Sequence, residues 1–382
     1  MAANEDHDYD DTFRLLRESL RRYVEKEIVP KAPAWEEQGF VPREVLREMG
    51  SLGFLGLRYP EEFGGAALDA RATALLAEEL GRSTFGGFAI TVLVHTDMAS
   101  PHLINAGTPE QVRRFLPKII SGETITAVAV TEPDAGSDVK AIRTNARREG
   151  GEWVLNGTKM FITNGALADV LFVAAKTDPA AGAKGVSMFI VEKGAKGFSV
   201  GRRLDKHGWR SSDTAELVFD GCRVPAENLL GEEGRGFYSI MRNFQNERIA
   251  IAAMAIGESA KALELTLDYV KTRKAFGAPL WDKQTIRQRV AMLAAKVEAG
   301  RQLVRHAASL DAAGRDCVRE VSMAKAYCGE LVNEVMYDCL QFHGGAGYMR
   351  ESAIERMTRD ARVQSIGGGA TEVMLEEVAK RL

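Results

Sequence analysis

The sequence predicts an α+β fold in three parts: an all-helical amino-terminal domain over residues 1–122, a small β domain over 123–231, and a helical bundle over 232–382. Three observations lead there. Apolar residues recur at helical spacing as far as Gly122. From Glu123 to Gly231 the pattern changes to short apolar or alternating runs broken by Gly, Asp and Pro. Beyond Gly236 come long proline-free stretches rich in Ala, Ile, Leu and Met. With no fixed-period repeat, low-complexity tract or long linker between them, these imply closely packed units.

The first helix is expected over Phe13 to Ile28, where Phe13, Leu16, Leu20, Tyr23, Val24 and Ile28 share a face and Pro30 ends the pattern. Pro42 opens a second, and Ala70 to Leu80, Phe88 to Ile104 and Pro109 to Ile120 follow. Strands are expected at Thr124 to Val130, Trp153 to Gly157, Val170 to Ala174, Val186 to Val191 and Glu216 to Phe219. Phe237 to Arg273, Lys283 to Ala313 and Val318 to Gln341 supply the long helices of the last part.

Composition narrows the function. A chain of 382 residues, 45% hydrophobic, can bury large cores. A net charge of −3 gives no whole-chain attraction to nucleic acid or an anionic membrane. Cys222, Cys317, Cys328 and Cys339 contain no Cys-x-x-Cys pair, which suits core thiols in a reducing compartment. The six histidines show no close ligand spacing, so no metal site is expected. The acidic start Met1-Ala2-Ala3-Asn4-Glu5-Asp6 leads into no apolar signal core, and no apolar run is long enough to span a bilayer. A cytoplasmic protein is the expectation.

Two stretches carry the chemistry. Val130-Thr131-Glu132-Pro133-Asp134-Ala135-Gly136-Ser137-Asp138 follows a strand and makes a turn in which Pro133 fixes φ and hydroxyls and N–H groups become free donors. Lys159-Met160-Phe161-Ile162-Thr163-Asn164-Gly165 comes next. Alone, either is an ordinary loop. Further blocks occur in order: Tyr59-Pro60-Glu61-Glu62-Phe63-Gly64-Gly65, Lys206 to Thr214, Val224 to Gly231, Arg273-Lys274-Ala275-Phe276-Gly277 and Gln341-Phe342-His343-Gly344-Gly345-Ala346-Gly347-Tyr348. Across nearly the whole chain this series resembles the acyl-CoA dehydrogenase family. The resemblance implies a four-helix bundle at the carboxy-terminal end, FAD between it and the β domain, and a homotetramer, a dimer of dimers, in which neighbours complete each FAD site.

By that resemblance Val130, Thr131 and Ser137 lie beside flavin or substrate, and Phe161 and Thr163 lie along the isoalloxazine ring. Phe161 stands where relatives often have Trp; it suits stacking on the ring and equally a place in the β-domain core. Arg273, Phe276 and Gln284 match the segment that contacts a neighbour's FAD, where a guanidinium suits a pyrophosphate. Outside the family context Arg273 is a solvated helix-end charge. Gln341, Gly344 and Gly345 match a further FAD segment; a long helical pattern precedes them, so this is no Rossmann fingerprint. Glu372 matches a cofactor contact and is equally a solvated helix charge.

The informative departure is Ile366-Gly367-Gly368-Gly369-Ala370-Thr371-Glu372: many relatives carry their catalytic glutamate where Gly368 stands. A subset resembling isovaleryl-CoA and long-chain acyl-CoA dehydrogenases places the base at the start of a bundle helix, and Glu247 in Phe244-Gln245-Asn246-Glu247-Arg248 matches it. Without that context Glu247 is a surface carboxylate. Phe244, Arg248 and Gly368 match substrate contacts, with the Gly368 N–H available to polarise the thioester carbonyl and the missing side chain expected to leave volume for the acyl chain. Gln245 and Ala370 replace an Asp and a Thr found in relatives.

The reaction implied is FAD-dependent oxidation of an acyl-CoA to trans-2-enoyl-CoA, with Glu247 taking the α-proton, flavin N5 the β-hydride, and an electron-transfer flavoprotein the electrons. The relocated base points to a longer, branched or isoprenoid-type acyl chain. An oxidase of the same fold that uses oxygen is the alternative. A DNA-associated flavin relative is disfavoured, because the chain lacks a basic carboxy-terminal extension.

Overall fold

A computed structural model describes residues 11–382; the acidic stretch at residues 1–6 lies outside them. The first part is helical: α1 (Asp11–Tyr23), α2 (Ala32–Gln38), α3 (Arg43–Ser51), α4 (Ala70–Gly81), α5 (Gly86–Leu93), α6 (Pro101–Ala106) and α7 (Pro109–Ile120). Local chemistry sets several boundaries. Asp69 accepts a hydrogen bond from the Arg71 N–H at 2.9 Å to start α4. Thr108 and Gln111 form a reciprocal capping box ahead of α7, with Pro109 in its first turn. α1 continues into a π-helical turn, Val24–Ile28, which completes the apolar face expected from sequence. The expected helix from Phe88 to Ile104 is instead broken by a second π-helical turn, Val94–Ala99, before Pro101, which has no N–H to continue the ladder.

The β domain contains β1 (Thr126–Ala129), β2 (Asn145–Glu149), β3 (Glu152–Thr163), β4 (Val170–Lys176), β5 (Val186–Glu192), β6 (Phe198–Arg203), β7 (Thr214–Pro225) and β8 (Leu229–Leu230). Their order is β6-β7-β3-β2-β4-β5-β8, with β1 added in parallel to β4. β4 and β5 are buried nearly throughout, as the continuous apolar runs require, whereas β6 is an exposed edge ending in two arginines. β3 extends well past Gly157. Its pairing with β7 slips between Lys159 and Ile162: three steps on β3 face two on β7, from Leu217 to Ala215. This is a bulge, and Phe161 lies in it.

The last part comprises α8 (Gly236–Thr272), α9 (Gln284–Ala312), α10 (Val318–His343), α11 (Ala353–Ala361) and α12 (Thr371–Ala379). Between α8 and α9 a small hairpin, β9 (Lys274–Ala275) and β10 (Ala278–Pro279), turns at Phe276 and Gly277, both at positive φ. α4 packs directly on α8. A Cβ at Gly81 would collide with the Met254 carbonyl, and one at Gly257 with the Glu78 carbonyl, so the backbones meet without side chains between them. One apolar core joins the first helices to the bundle, a second lies within the sheet, and a third unites α6, α7, the sheet and the start of α8. The site lies where these meet.

Candidate active site

Glu247 lies in the interior of α8 and is only 7% exposed. Burial pushes its carboxyl up to about 8, against the opposing pull of an Asn243 hydrogen bond and the Arg248 charge. The Asn243 amide donates to Glu247 Oε1 at 3.2 Å and to the Met98 carbonyl at 2.8 Å. Asn246 donates to the Asp97 carbonyl at 2.7 Å. Both carbonyls belong to the second π-helical turn. Arg248 is buried too, its guanidinium 5.5 Å from the Phe244 ring centroid, and among the described residues its Nε has no hydrogen-bond partner.

Gly368 faces the same stretch of α8. Its φ is +63°, and a Cβ there would run into Ile251 Cδ1. Ile251 is one helical turn beyond Glu247, so the two side chains share a face. On the Cβ side of Gly368 the space is therefore taken by Ile251, which corrects the expectation that the glycine simply leaves volume for an acyl chain. Gly369 follows at φ +104°, where a Cβ would lie 3.7 Å from Arg248 Nε. Its carbonyl accepts a hydrogen bond from the ammonium of Lys325, a fully buried residue of α10. Burial, then repulsion from Arg248, draws Lys325 down to about 8.

A buried ion pair unites the two signature stretches. Lys159 Nζ donates to Glu132 Oε1 at 2.8 Å and to the Val130 carbonyl at 2.9 Å. Glu132 also accepts the backbone N–H groups of Arg143 at 2.6 Å and Thr144 at 2.9 Å, while the Met160 N–H donates to the Thr131 carbonyl at 2.9 Å. Burial pulls Lys159 down to about 8. Glu132 stays below the usual carboxylate range: its own burial pushes upward, and the Lys159 charge and these donors outweigh it. These bonds tie the turn to the bulge. Phe161 is held at φ +61° and is 66% exposed, a strained aromatic presented outward rather than in the core. Asn164, also at positive φ, anchors the next turn through donation to the Thr91 carbonyl at 3.0 Å. Ser137 is exposed on the turn and Thr163 half-buried at the end of β3.

Arg273 and Gln284 are exposed, and Phe276 at the hairpin tip is 96% exposed. Tyr269, one turn before Arg273, donates to the His343 carbonyl at 3.2 Å and meets the His343 ring edge-to-face at 4.3 Å between centroids, which puts Gln341, Gly344 and Gly345 at this same end of the bundle. Glu372 is exposed on α12. Glu247 and Arg273 are separated along α8 by about 39 Å at 1.5 Å per residue. One chain therefore groups Glu247, Arg248, Phe244 and Gly368, and joins them to Val130 through a shared apolar cluster with Phe244, but keeps Arg273, Phe276 and Gln284 apart.

These residues fit FAD. An outward aromatic on a bulge beside Thr131 and Thr163 suits a flavin ring. At the far end, a guanidinium beside a turn whose Gly344 and Gly345 have open space around their Cβ positions suits a pyrophosphate. Asn243, Lys325 and the Glu132–Lys159 pair had no part in the sequence reading. Only the four-residue spacing of Asn243 and Glu247 on one helix carried a signal for any of them.

Three family models match in order: the acyl-CoA dehydrogenase N-terminal domain over residues 10–123, the middle domain over 127–222 and the C-terminal domain over 234–382. The mouse (Mus musculus) mitochondrial long-chain specific acyl-CoA dehydrogenase is 43% identical over 370 residues, 96% of this chain and 86% of its own. The crystal structure of an acyl-CoA dehydrogenase from Geobacillus kaustophilus superposes with a TM-score of 0.94 at 39% identity, covering 98% of this chain and 99% of that one. A chain from a structure described as an electron transferring flavoprotein of Acidaminococcus fermentans gives 0.96 at 36% identity over 98% and 99%. With the domains matched in order and the fold shared end to end, the chain belongs to the acyl-CoA dehydrogenase family and is an FAD-dependent oxidoreductase.

Proposed function

We propose that the chain oxidises the Cα–Cβ bond of an acyl-CoA to a trans-2-enoyl-CoA, with Glu247 as the base. The observation that carries this is the placement of Glu247: a buried carboxylate on the face of α8 whose next turn, Ile251, touches Gly368. The α-proton passes to a Glu247 carboxylate oxygen, and a pKa near 8 suits a base that must accept a proton from carbon near neutral pH. The Gly368 N–H donates to the thioester carbonyl and stabilises charge developing there. Phe244 and Arg248 line the substrate side, and the apolar wall excludes water. The chemistry that bound FAD supplies is acceptance of the β-hydride.

Val130, Thr131, Ser137, Phe161 and Thr163 hold the flavin end of the cofactor. Arg273, Phe276, Gln284, Gln341, Gly344, Gly345 and Glu372 serve the FAD of a neighbouring subunit in a homotetramer. The separation along α8 and the exposed hairpin tip support that division of labour. An electron-transfer flavoprotein takes the electrons, a role supported by family membership. Among the described residues no helix is long and apolar enough to cross a membrane. The four cysteines are free and buried, which suits a reducing compartment such as the cytoplasm. The substrate class we favour is a long or branched acyl-CoA, in keeping with the long-chain relative.

Anaerobic titration of the purified protein with straight and branched acyl-CoAs tests the reading. Flavin bleaching by at least one of them is expected, with slow reoxidation in air and fast reoxidation by an artificial acceptor. No bleaching with any acyl-CoA would contradict the activity, and rapid turnover in air would favour an oxidase.

A further inference from the structure

The two amide donors that fasten α8 to the second π-helical turn are not equivalent. A π-helical turn displaces its carbonyls from the ordinary ladder, leaving them free for outside donors. Here Asp97 and Met98 present theirs to Asn246 and Asn243. Asn246 is fully engaged away from the base: its Oδ1 accepts from Arg58, and it makes no bond to Glu247. Asn243 uses one amide nitrogen twice, for the Met98 carbonyl at 2.8 Å and for Glu247 Oε1 at 3.2 Å. An NH₂ group has two hydrogens, so both bonds can form at once. Flipping the amide would set oxygen against the Met98 carbonyl and against the carboxylate, so the clamp fixes which atom faces Glu247. Among the described residues no other side chain hydrogen-bonds Glu247.

The remaining charges around Glu247 act at longer range. Arg248 is its neighbour on α8 and shares its field with Lys325 of α10, with Glu377 of α12 and with Arg381 just beyond it. From the π-helical side, the Asp97 carboxylate is taken up by the hydroxyls of Thr73 at 2.7 Å and Thr96 at 2.5 Å, and Arg58 is engaged by Asn246 and by the Asp311 carboxylate at 3.4 Å. Resting on the assignment of Glu247 as base, we propose that Asn243 is a positioning residue for the reaction: clamped by the Met98 carbonyl, its amide holds one Glu247 oxygen in place and favours the ionised, proton-accepting carboxylate. A donor to the charged form lowers a carboxyl pKa, and its loss raises it. The clamp also ties the base to the π-helical turn, so displacement of that turn acts on the base.

The test compares FAD-loaded wild type with Asn243→Leu, which keeps the volume and removes the donor, and Asn243→Asp, which puts a second carboxyl there. Asn246→Leu serves as a control that breaks the neighbouring tether and its contacts with Arg58 and Thr73, none of which touches Glu247. Two pH titrations are read: the rate of anaerobic flavin reduction, and the infrared band of the protonated Glu247 carboxyl, identified by its absence in Glu247→Gln. Asn243→Leu should raise both midpoints by about one unit, equivalent to roughly tenfold slower reduction below the midpoint. The plateau at high pH should be largely kept. Asn243→Asp should raise the midpoints further, and Asn246→Leu should leave the infrared midpoint in place. If Asn243→Leu does not load FAD, Asn243→Ala replaces it; loss of FAD by both would assign Asn243 to folding and overturn the proposal. An infrared midpoint unchanged in a folded Asn243 variant would overturn it as well. The infrared titration follows Glu247 whether or not it is the base, so this failure is distinct from fast flavin reduction by Glu247→Gln, which would sink the assignment of the base.

Discussion

Moving the carboxylate from α8 to the glycine loop should fail as a simple exchange and succeed in part only when Ile251 is cut back. In Glu247→Gly/Gly368→Glu the new residue sits at φ +63°, a backbone region costing an L side chain about 1–2 kcal/mol. Its Cβ also overlaps Ile251 Cδ1, and overpacking of this kind costs about 1–3 kcal/mol. Together the double variant should lose roughly 2–5 kcal/mol of stability. Ile251→Ala as a third change removes the overlap, leaves the backbone cost and adds a cavity cost of about 2–5 kcal/mol for a buried isoleucine. Stopped-flow reduction of the flavin under anaerobic conditions, with denaturant unfolding alongside, reads both effects. Glu247→Gly alone should reduce about 10²-fold or more slowly. The double variant should gain little, and the triple variant at least about tenfold, because both positions are proposed to face one α-carbon. A triple variant that holds FAD yet is no faster than Glu247→Gly would refute the shared-carbon geometry. A double variant as fast as the triple would refute the role given to Ile251.

Lys159→Met should destabilise the protein by about 3–5 kcal/mol in denaturant unfolding and loosen FAD, since Glu132 is left buried without its cation; adding Glu132→Gln should restore much of that loss. Arg273→Ala should weaken FAD retention on gel filtration while leaving secondary structure unchanged, because a charge-assisted contact is lost. Glu247 is raised from 4.5 to about 8, so the stability linked to its neutral form is fully present below pH 4.5 and is lost as pH rises through about 8. The melting temperature should fall across that window in wild type and fall less in Glu247→Gln. Over the same window flavin reduction should quicken, since only the carboxylate takes the proton.

What the sequence showed best was what neighbouring residues decide. Pro109 at the start and apolar spacing as far as Ile120 placed α7 to the residue, and continuous apolar runs placed β4 and β5. What it hid depends on partners distant in the chain. β6 is polar because it is an exposed edge, so Phe198–Arg203 lacks the apolar alternation that betrays a strand. The π-helical turn at Val94–Ala99 falls in a run whose spacing looks helical throughout. At the site, the family resemblance pointed to Glu247 and Gly368, but the occupant of the space beside Gly368, Ile251, is ordinary core sequence. Lys159, Lys325 and Asn243 are polar residues whose burial rests on partners at Glu132, Gly369 and Met98, which no local pattern announces.

The most direct test of the account is the flavin-reduction rate of Glu247→Gln against wild type, measured anaerobically with a saturating acyl-CoA. The amide keeps the size of the side chain and its contact with Asn243 while removing the capacity to accept the proton. With FAD content and acyl-CoA binding unchanged, reduction should slow by about 10²-fold or more; a rate close to wild type would mean that the proton leaves to another group and that Glu247 is not the base.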